Sequence, residues 1–571
     1  MLVDAMMPHQ QTRNRFAPRV IATAALCLAT LLTLTACGSR PKSTAESDSS
    51  PASSAAMTVP AKAIPSSRYQ TVPATAEDDV LTYHNNLART GLDSHETLLT
   101  PADVSPSSFG RLFSDPVDGF VYAQPLYVAH VSIPGKGIHN VVYVATENDS
   151  VYAFDADQSG PPLWHASLLE GGSPVPSAAV SCGQIVPRIG ITGTPVIDRA
   201  TGTLYVVAMV QHHTSHGDTY TQQLHALDIA TGKEKLGGPV TIAGSVAGTG
   251  AGSKDGEIAF SGFLHLDRPG LALAGGVVYV SFGSHCDLGN YHGWVFAYGA
   301  AHLRRRAVFN TTPNGSQGAI WETGDAPAID SKGHIFVMTG NGTFDTHADY
   351  GDSFIKLALA GNALDAIDSF TPYNQEKLNQ DDLDLGSGGV VLLPAQPGQP
   401  PLLVGAGKAG VLYLVNREHM GRFNPKSNGQ IVQEIRGIGP NFSTPAYWNG
   451  RLYVGTVGKP LKEYEVVNGR LSASPGSRTS HSFNYPGTTP SISSNGNKDA
   501  IVWALDTSTY ISNGSAVLYA YDATNLAHEL YASPSHGSGD VGVKFTTPTI
   551  AHGMVYVGTE NSLEVFGLLK H

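Results

Sequence analysis

The sequence predicts an all-β chain folded as one eight-bladed propeller. Three observations carry that prediction. The 571 residues include 63 glycines and 36 prolines, with 41% hydrophobic and only 14% charged residues. That balance suits many short buried strands joined by tight turns; it excludes a coiled coil, a Glu/Lys-rich helical solenoid and a mostly disordered chain. A two-strand unit also recurs along the chain, and a proline stands before most of its copies.

The N-terminus reads as an address. Arg13, Arg15 and Arg19 precede an uncharged run from Val20 to Ala36, which is short for a membrane span and ends in small residues. Leu34-Thr35-Ala36-Cys37 resembles the bacterial lipobox, which implies acylation of Cys37 and removal of residues 1–36 with Cys27. Gly38 rather than Asp follows, which implies export to the outer membrane. Residues 37–79 are rich in Ser, Ala and Pro and read as a flexible tether, because they hold too little apolar surface to offset ordering. The expected location is the cell envelope, on the periplasmic side of the outer membrane or at the cell surface.

From residue 80 the chain is one repeated idea. The clearest copy runs from Asn140 to Asp155, with two apolar strands about a polar turn, then Leu163-Trp164. Relatives fall at 203–233, 276–300, 334–359, 402–418, 451–469, 500–525 and 554–569. Pro125, Pro195, Pro269, Pro327, Pro445, Pro490 and Pro548 precede seven copies, and Gly388-Gly389-Val390-Val391 takes that place in the eighth. Proline cannot donate to a β-ladder, so it marks strand starts and edges such as the innermost strand of a blade. From Pro125 to Pro548 the seven intervals average about 60 residues, longer than a WD40 blade, and the surplus is expected in loops. The last copy ends after its third strand. Phe109 to Ser114 resembles an outer strand and is expected to close that blade and the ring.

The unit VVYVATENDSVYAFDA…LW resembles the pyrroloquinoline quinone (PQQ) repeat over residues 80–570. The resemblance implies a propeller of the quinoprotein alcohol dehydrogenase-like type, a fold shared with an outer-membrane assembly lipoprotein. The stretches NVVYVATENDSVYAFDAD, GITGTPVID and YGDSFIKL are most similar to secreted bacterial PQQ-repeat proteins without an assigned activity. Local matches to the dehydrogenases imply site residues. Tyr83–Val104 is similar to their N-terminal segment. Cys182 to Gly190 resembles the stretch with their adjacent cysteine pair, with Ser181 in place of the first cysteine and the cofactor-contacting Arg kept as Arg188. Thr339-Gly340-Asn341 implies a Ca²⁺ ligand in Asn341, and Asp287 falls near the family's Ca²⁺ glutamate. Lys408 matches the quinone-facing cation, Asn441-Phe442 an Asn-Trp pair beside the cofactor, and Asp382 and Asp384 lie near the place of the catalytic Asp. Trp321 lies two residues upstream of the stacking Trp's register.

Such residues suit the chemistry. Calcium takes hard oxygens, a carboxylate accepts a substrate proton, and a cation steadies developing negative charge. Other signals read as structure. Gly405-Ala-Gly-Lys408 leads into a strand and lacks phosphate-loop spacing. His212, His213 and His216 decorate a hairpin, and Asp345, Asp349 and Asp352 belong to a solvated turn. No CxxCH is present, so no covalent haem is expected. Cys182 and Cys286 are the thiols left after lipidation and form a candidate disulfide. A net charge of −12 argues against nucleic acid. The expected function is a ligand- or protein-binding module or scaffold of the envelope, with the membrane reached through Cys37. The alternative is a PQQ- and Ca²⁺-dependent oxidoreductase acting on alcohols or sugars.

Overall fold

The computed structural model describes residues 73–534 and 540–569, all within the second of two units, Pro65–His571. Cys37 and the signal and most of the tether lie outside the described residues. The described chain forms an eight-bladed β-propeller. Blade 1 is Leu126–Ile133, Gly137–Ala145, Ser150–Asp155 and Trp164–Ser167, paired in that order from the channel outward. Blades 2 to 8 repeat this meander from the inner strands Val196–Asp198, Ala272–Ala274, Ala328–Ile329, Val391–Leu392, Ala446–Trp448, Ser491–Asn495 and Thr549–Ala551. Six of the seven marker prolines stand immediately before an inner strand, and Pro269 stands three residues before Ala272. The outer strand of blade 8 is Phe109–Pro116, antiparallel to Ser562–Leu568, so the two ends of the propeller close one sheet.

A tyrosine repeats at one register of the second strand and latches neighbouring blades. Tyr143 donates to the carbonyl of Ile229 in blade 2, Tyr205 to Ala300 in blade 3, Tyr453 to Ala523 in blade 7 and Tyr556 to Ala156 in blade 1. Each acceptor is the residue just after the third strand of the next blade. A buried phenol needs such a partner, and each bond contributes on the order of 1 kcal/mol.

Residues 80–96 plug one end of the channel. They pass the inner strands in ring order, missing only blade 3. Val80 pairs with Tyr127, and the carbonyls of Leu81, Leu87, Ala88, Thr90 and Gly91 accept from Ile197, Ile329, Leu392, Tyr447 and Ile492. The Glu96 carboxylate then accepts from Gly553 of blade 8 at 2.7 Å. Arg89 is fully buried at the centre of this segment, and its guanidinium donates to Thr82 Oγ1, the Tyr83 carbonyl and the Pro327 carbonyl, each at 2.8 Å. His84 is buried beside it, bonded through its ring to the carbonyls of Arg89 and Pro490.

Several acids are buried in this frame. Burial pushes Asp115 up to about 6, Glu147 up to about 7 and Asp325 up to about 7. For an acid raised on folding, the unfolded chain releases its proton near pH 4 while the folded chain keeps it. Stability therefore falls as pH rises from about 4 to about 7 and levels off above. Thermal unfolding is expected at a higher temperature at pH 5 than at pH 7.5. An equal or higher midpoint at pH 7.5 would contradict the burial of these acids in their neutral form.

A candidate active site at the open end of the channel

In a four-stranded meander, the loops joining second to third strands lie at the same end as the segments leading into inner strands. The plug contacts the opposite turns, at Gly496 and Gly553. At the open end, the loops of blades 3, 4 and 5 bring together most of the sequence-selected residues. Lys408 lies in the loop between Leu402–Ala406 and Val411–Asn416, and its ammonium is 2.6 Å from Asp384 and 3.0 Å from Asp382. Asp384 also accepts the backbone N–H of Asn341 at 2.7 Å, and the Asn341 amide donates to Asp382 at 2.8 Å. That leaves Asn341 Oδ1 buried without a hydrogen-bond partner.

Asp287 faces the same cluster from blade 3. Its carboxylate accepts the hydroxyl of Tyr291 at 2.6 Å. Burial, and then the charge of Asp384, push it up to about 6. Burial alone would lower Lys408, but Asp384 and Asp382 override it and hold the ammonium well above its ordinary range. Trp321 stands half-buried against the floor: a Cβ on Gly283 or Gly340 would come within 3.1 or 3.0 Å of its indole, and one on Gly340 would also collide with Asp384. Gly340 thus lets the indole and the carboxylate approach one backbone.

Cys182 and Cys286 are joined, with Cα atoms 5.7 Å apart and a sequence separation of 104. The bond links the blade 2 loop before Arg188–Ile189 to the residue preceding Asp287. Cys286 and Asp287 both hold left-handed backbone, φ 50° and 56°, which non-glycine residues adopt at a cost. The disulfide is the covalent tie that holds this turn.

Two selected residues do not join the cluster. Arg188 is exposed, with Asn148 as its side-chain partner at 3.5 Å. Asn441 is fully buried, and its amide donates to the carbonyls of Ala406 and Ser443 while accepting from the Ser443 hydroxyl. Its polar atoms are committed to the wall between blades 5 and 6. The acidic turn is structural, but it is not solvated as expected: Asp349 and Asp352 are buried. Asp345 caps backbone N–H groups of 347–349, Asp349 accepts from Asn314, and Asp352 accepts from Leu385. His213 sits on the hairpin of Thr203–Thr214 and Gly217–Asp228, paired with Asp218. Among the described residues no three His, Cys, Asp or Glu gather as a metal site.

Tyr291, Arg268 and Lys544 were missed by sequence reasoning. Arg268 had a usable signal, since it immediately precedes the blade-start Pro269 and so lies on the channel wall.

The sequence matches no protein-family model and no curated protein. Solved structures are similar. The quinohemoprotein alcohol dehydrogenase of Comamonas testosteroni has TM-score 0.57 and 16% identity over 86% of this chain and 81% of that one. A quinohemoprotein alcohol dehydrogenase of Pseudomonas putida HK5 has TM-score 0.54 and 13% identity over 86% and 80%. A europium-containing methanol dehydrogenase has TM-score 0.55 and 14% identity over 88% and 99%. At these identities the likeness establishes the propeller fold of the quinoprotein dehydrogenase-like type and leaves activity to the site.

Proposed function

We propose that the open end of the propeller is the site of a quinoprotein-type oxidoreductase acting on alcohol or sugar hydroxyls. The observation that carries this reading is the convergence of Asp384, Lys408, Asn341 and Asp287 beside Trp321. A plain binding module needs no lysine clamped between two aspartates next to a buried amide oxygen without a partner.

The residues fit the implied groups. Asn341 Oδ1 and Asp287 are hard oxygens suited to Ca²⁺, and the unpartnered amide oxygen is the feature that asks for a cation. Trp321 offers a flat apolar face to a planar cofactor. A bound quinone with its Ca²⁺ would supply the hydride acceptor for an alcohol carbon. Asp384 would take the hydroxyl proton of the substrate. Lys408 would stabilise negative charge as it develops, and its ion pairs hold it protonated for that task. Asp382, bonded to both Lys408 and Asn341, positions the two.

The test is reconstitution. The full chain with PQQ and Ca²⁺ is expected to bind the quinone at micromolar concentration, seen by absorbance, and to reduce a dye with alcohols or sugars. Asp384→Asn is expected to keep quinone binding and lower turnover by about 10²-fold or more, the usual contribution of a positioned base. Absence of quinone binding at micromolar concentration would remove the reading.

A further inference from the structure

Two cations share one aromatic ring, with no anion between them. Arg268 lies on the channel wall before blade 3, and Lys544 lies in the segment leading into the inner strand of blade 8. The Arg268 guanidinium is 4.9 Å from the centre of the Phe545 ring and 5.9 Å from that of Tyr122. The Lys544 ammonium is 5.6 Å from the same Phe545 ring. Both side chains are buried, and Arg268 Nη2 has no hydrogen-bond partner. Among the described residues no carboxylate lies within ion-pair distance of either one.

The groups that face them do not neutralise them. Arg268 feels Tyr122, Glu147, Tyr83 and Tyr485. Glu147 is held by Gly190 N–H at 2.7 Å and Thr192 at 3.1 Å, and burial pushes it up to about 7. It is a partial counter-charge at most. Burial, and then Arg268 itself, push Lys544 down to about 8. Cation–π contact offsets only part of what an unpaired buried ion costs. A protein that retains such a pair gains from it only when something negative arrives.

We propose that Arg268 and Lys544, both held against the Phe545 ring, bind the carboxylate of a small organic anion. Arg268 presents a planar fork suited to a carboxylate, and Lys544 adds a point charge. Phe545, Tyr485 and Phe442, packed edge to face with ring centres 6.0 and 5.5 Å apart, give the site an apolar border. This favours an aromatic or apolar carboxylate over an inorganic ion. The proposal does not rest on the oxidoreductase reading, since the site needs no metal and no electron transfer. The carboxylate can come from a separate ligand or from the quinone cofactor itself.

The experiment separates these sources. Full-length protein free of calcium and quinone is titrated with benzoate in one arm and with PQQ alone in another. Binding is followed by calorimetry and by the thermal midpoint. Binding in either arm, weakened at least tenfold by both Arg268→Met and Lys544→Met, is the expected result. Benzoate binding identifies a site for separate carboxylates; binding of PQQ alone assigns it to the cofactor's own. Ligand-free Arg268→Met is expected to unfold at the same or a higher temperature than wild type, because it removes an uncompensated buried charge. The proposal is overturned if neither probe binds, if binding survives both substitutions, or if ligand-free Arg268→Met unfolds at a clearly lower temperature.

Discussion

Replacing Arg89 by Met is expected to destabilise the propeller by about 3–5 kcal/mol, the cost of breaking a buried charge network by deleting one partner. The guanidinium binds Thr82 and Tyr83 within the plug and the Ala326 and Pro327 carbonyls at the start of blade 4. Without it those carbonyls lose their donor in a site water does not reach. The acids nearby lose their counter-charge as well. Asp325 and Glu322 are both raised by burial and both lowered by Arg89, so its removal would push them further toward the neutral form. Arg89→Lys keeps the charge and loses the fork, and is expected to recover only part of the stability. Urea unfolding of the three proteins measures this; a loss below about 1 kcal/mol for the Met variant would mean that the plug is not coupled to the ring.

Replacing Cys182 and Cys286 together by Ser is expected to cost about 4–5 kcal/mol, since the bond closes a 104-residue span and restricts the unfolded chain accordingly. The effect should appear equally on chemical reduction of the wild-type protein. It should also reach the candidate site, because Asp287 follows Cys286 in a left-handed turn that the bond anchors. The expected signature is a lower denaturant midpoint together with weaker Ca²⁺ affinity at the proposed site. A midpoint unchanged by reduction would show that packing around the loop, not the bond, holds blades 2 and 3 there.

The ring was legible because its signals are local. A proline before a strand, a Val-Tyr-Val run and a polar turn each act within a few residues, and eight copies reinforce one another. The plug was not legible. Residues 80–96 have no strand periodicity, and their hydrogen bonds go to seven blades spread over more than 400 residues of sequence. Similarly, the sequence motif selected Asn441, but only the fold reveals that Ala406 and Ser443 occupy its amide. Trp321 is two residues out of register, yet it stands beside Asp384. Glu322 and Thr323, which follow it, both take left-handed backbone, φ 44° and 46°, a turn that spacing alone cannot foresee. Arg268 and Lys544 escaped notice for a related reason. They lie more than 270 residues apart in sequence, and only closure of the ring places them on the same phenyl ring.

The tyrosine latches bear on how such a chain can grow. Donor and acceptor recur at equivalent places in different copies, so a duplicated blade that carries both would find matched partners on either flank. Latches join blades 1 to 2, 2 to 3, 6 to 7 and 8 to 1; among the described residues the seam 7 to 8 shows none, and neither do the seams 3 to 4, 4 to 5 and 5 to 6. The last three are the seams around the acid–lysine cluster. Three of the four latches cluster around blades 1, 2, 3 and 8, and none joins blades 3 to 6 to one another, so blade duplication by matched latches is open to the first group while the seams that carry the acid–lysine cluster depend on other contacts.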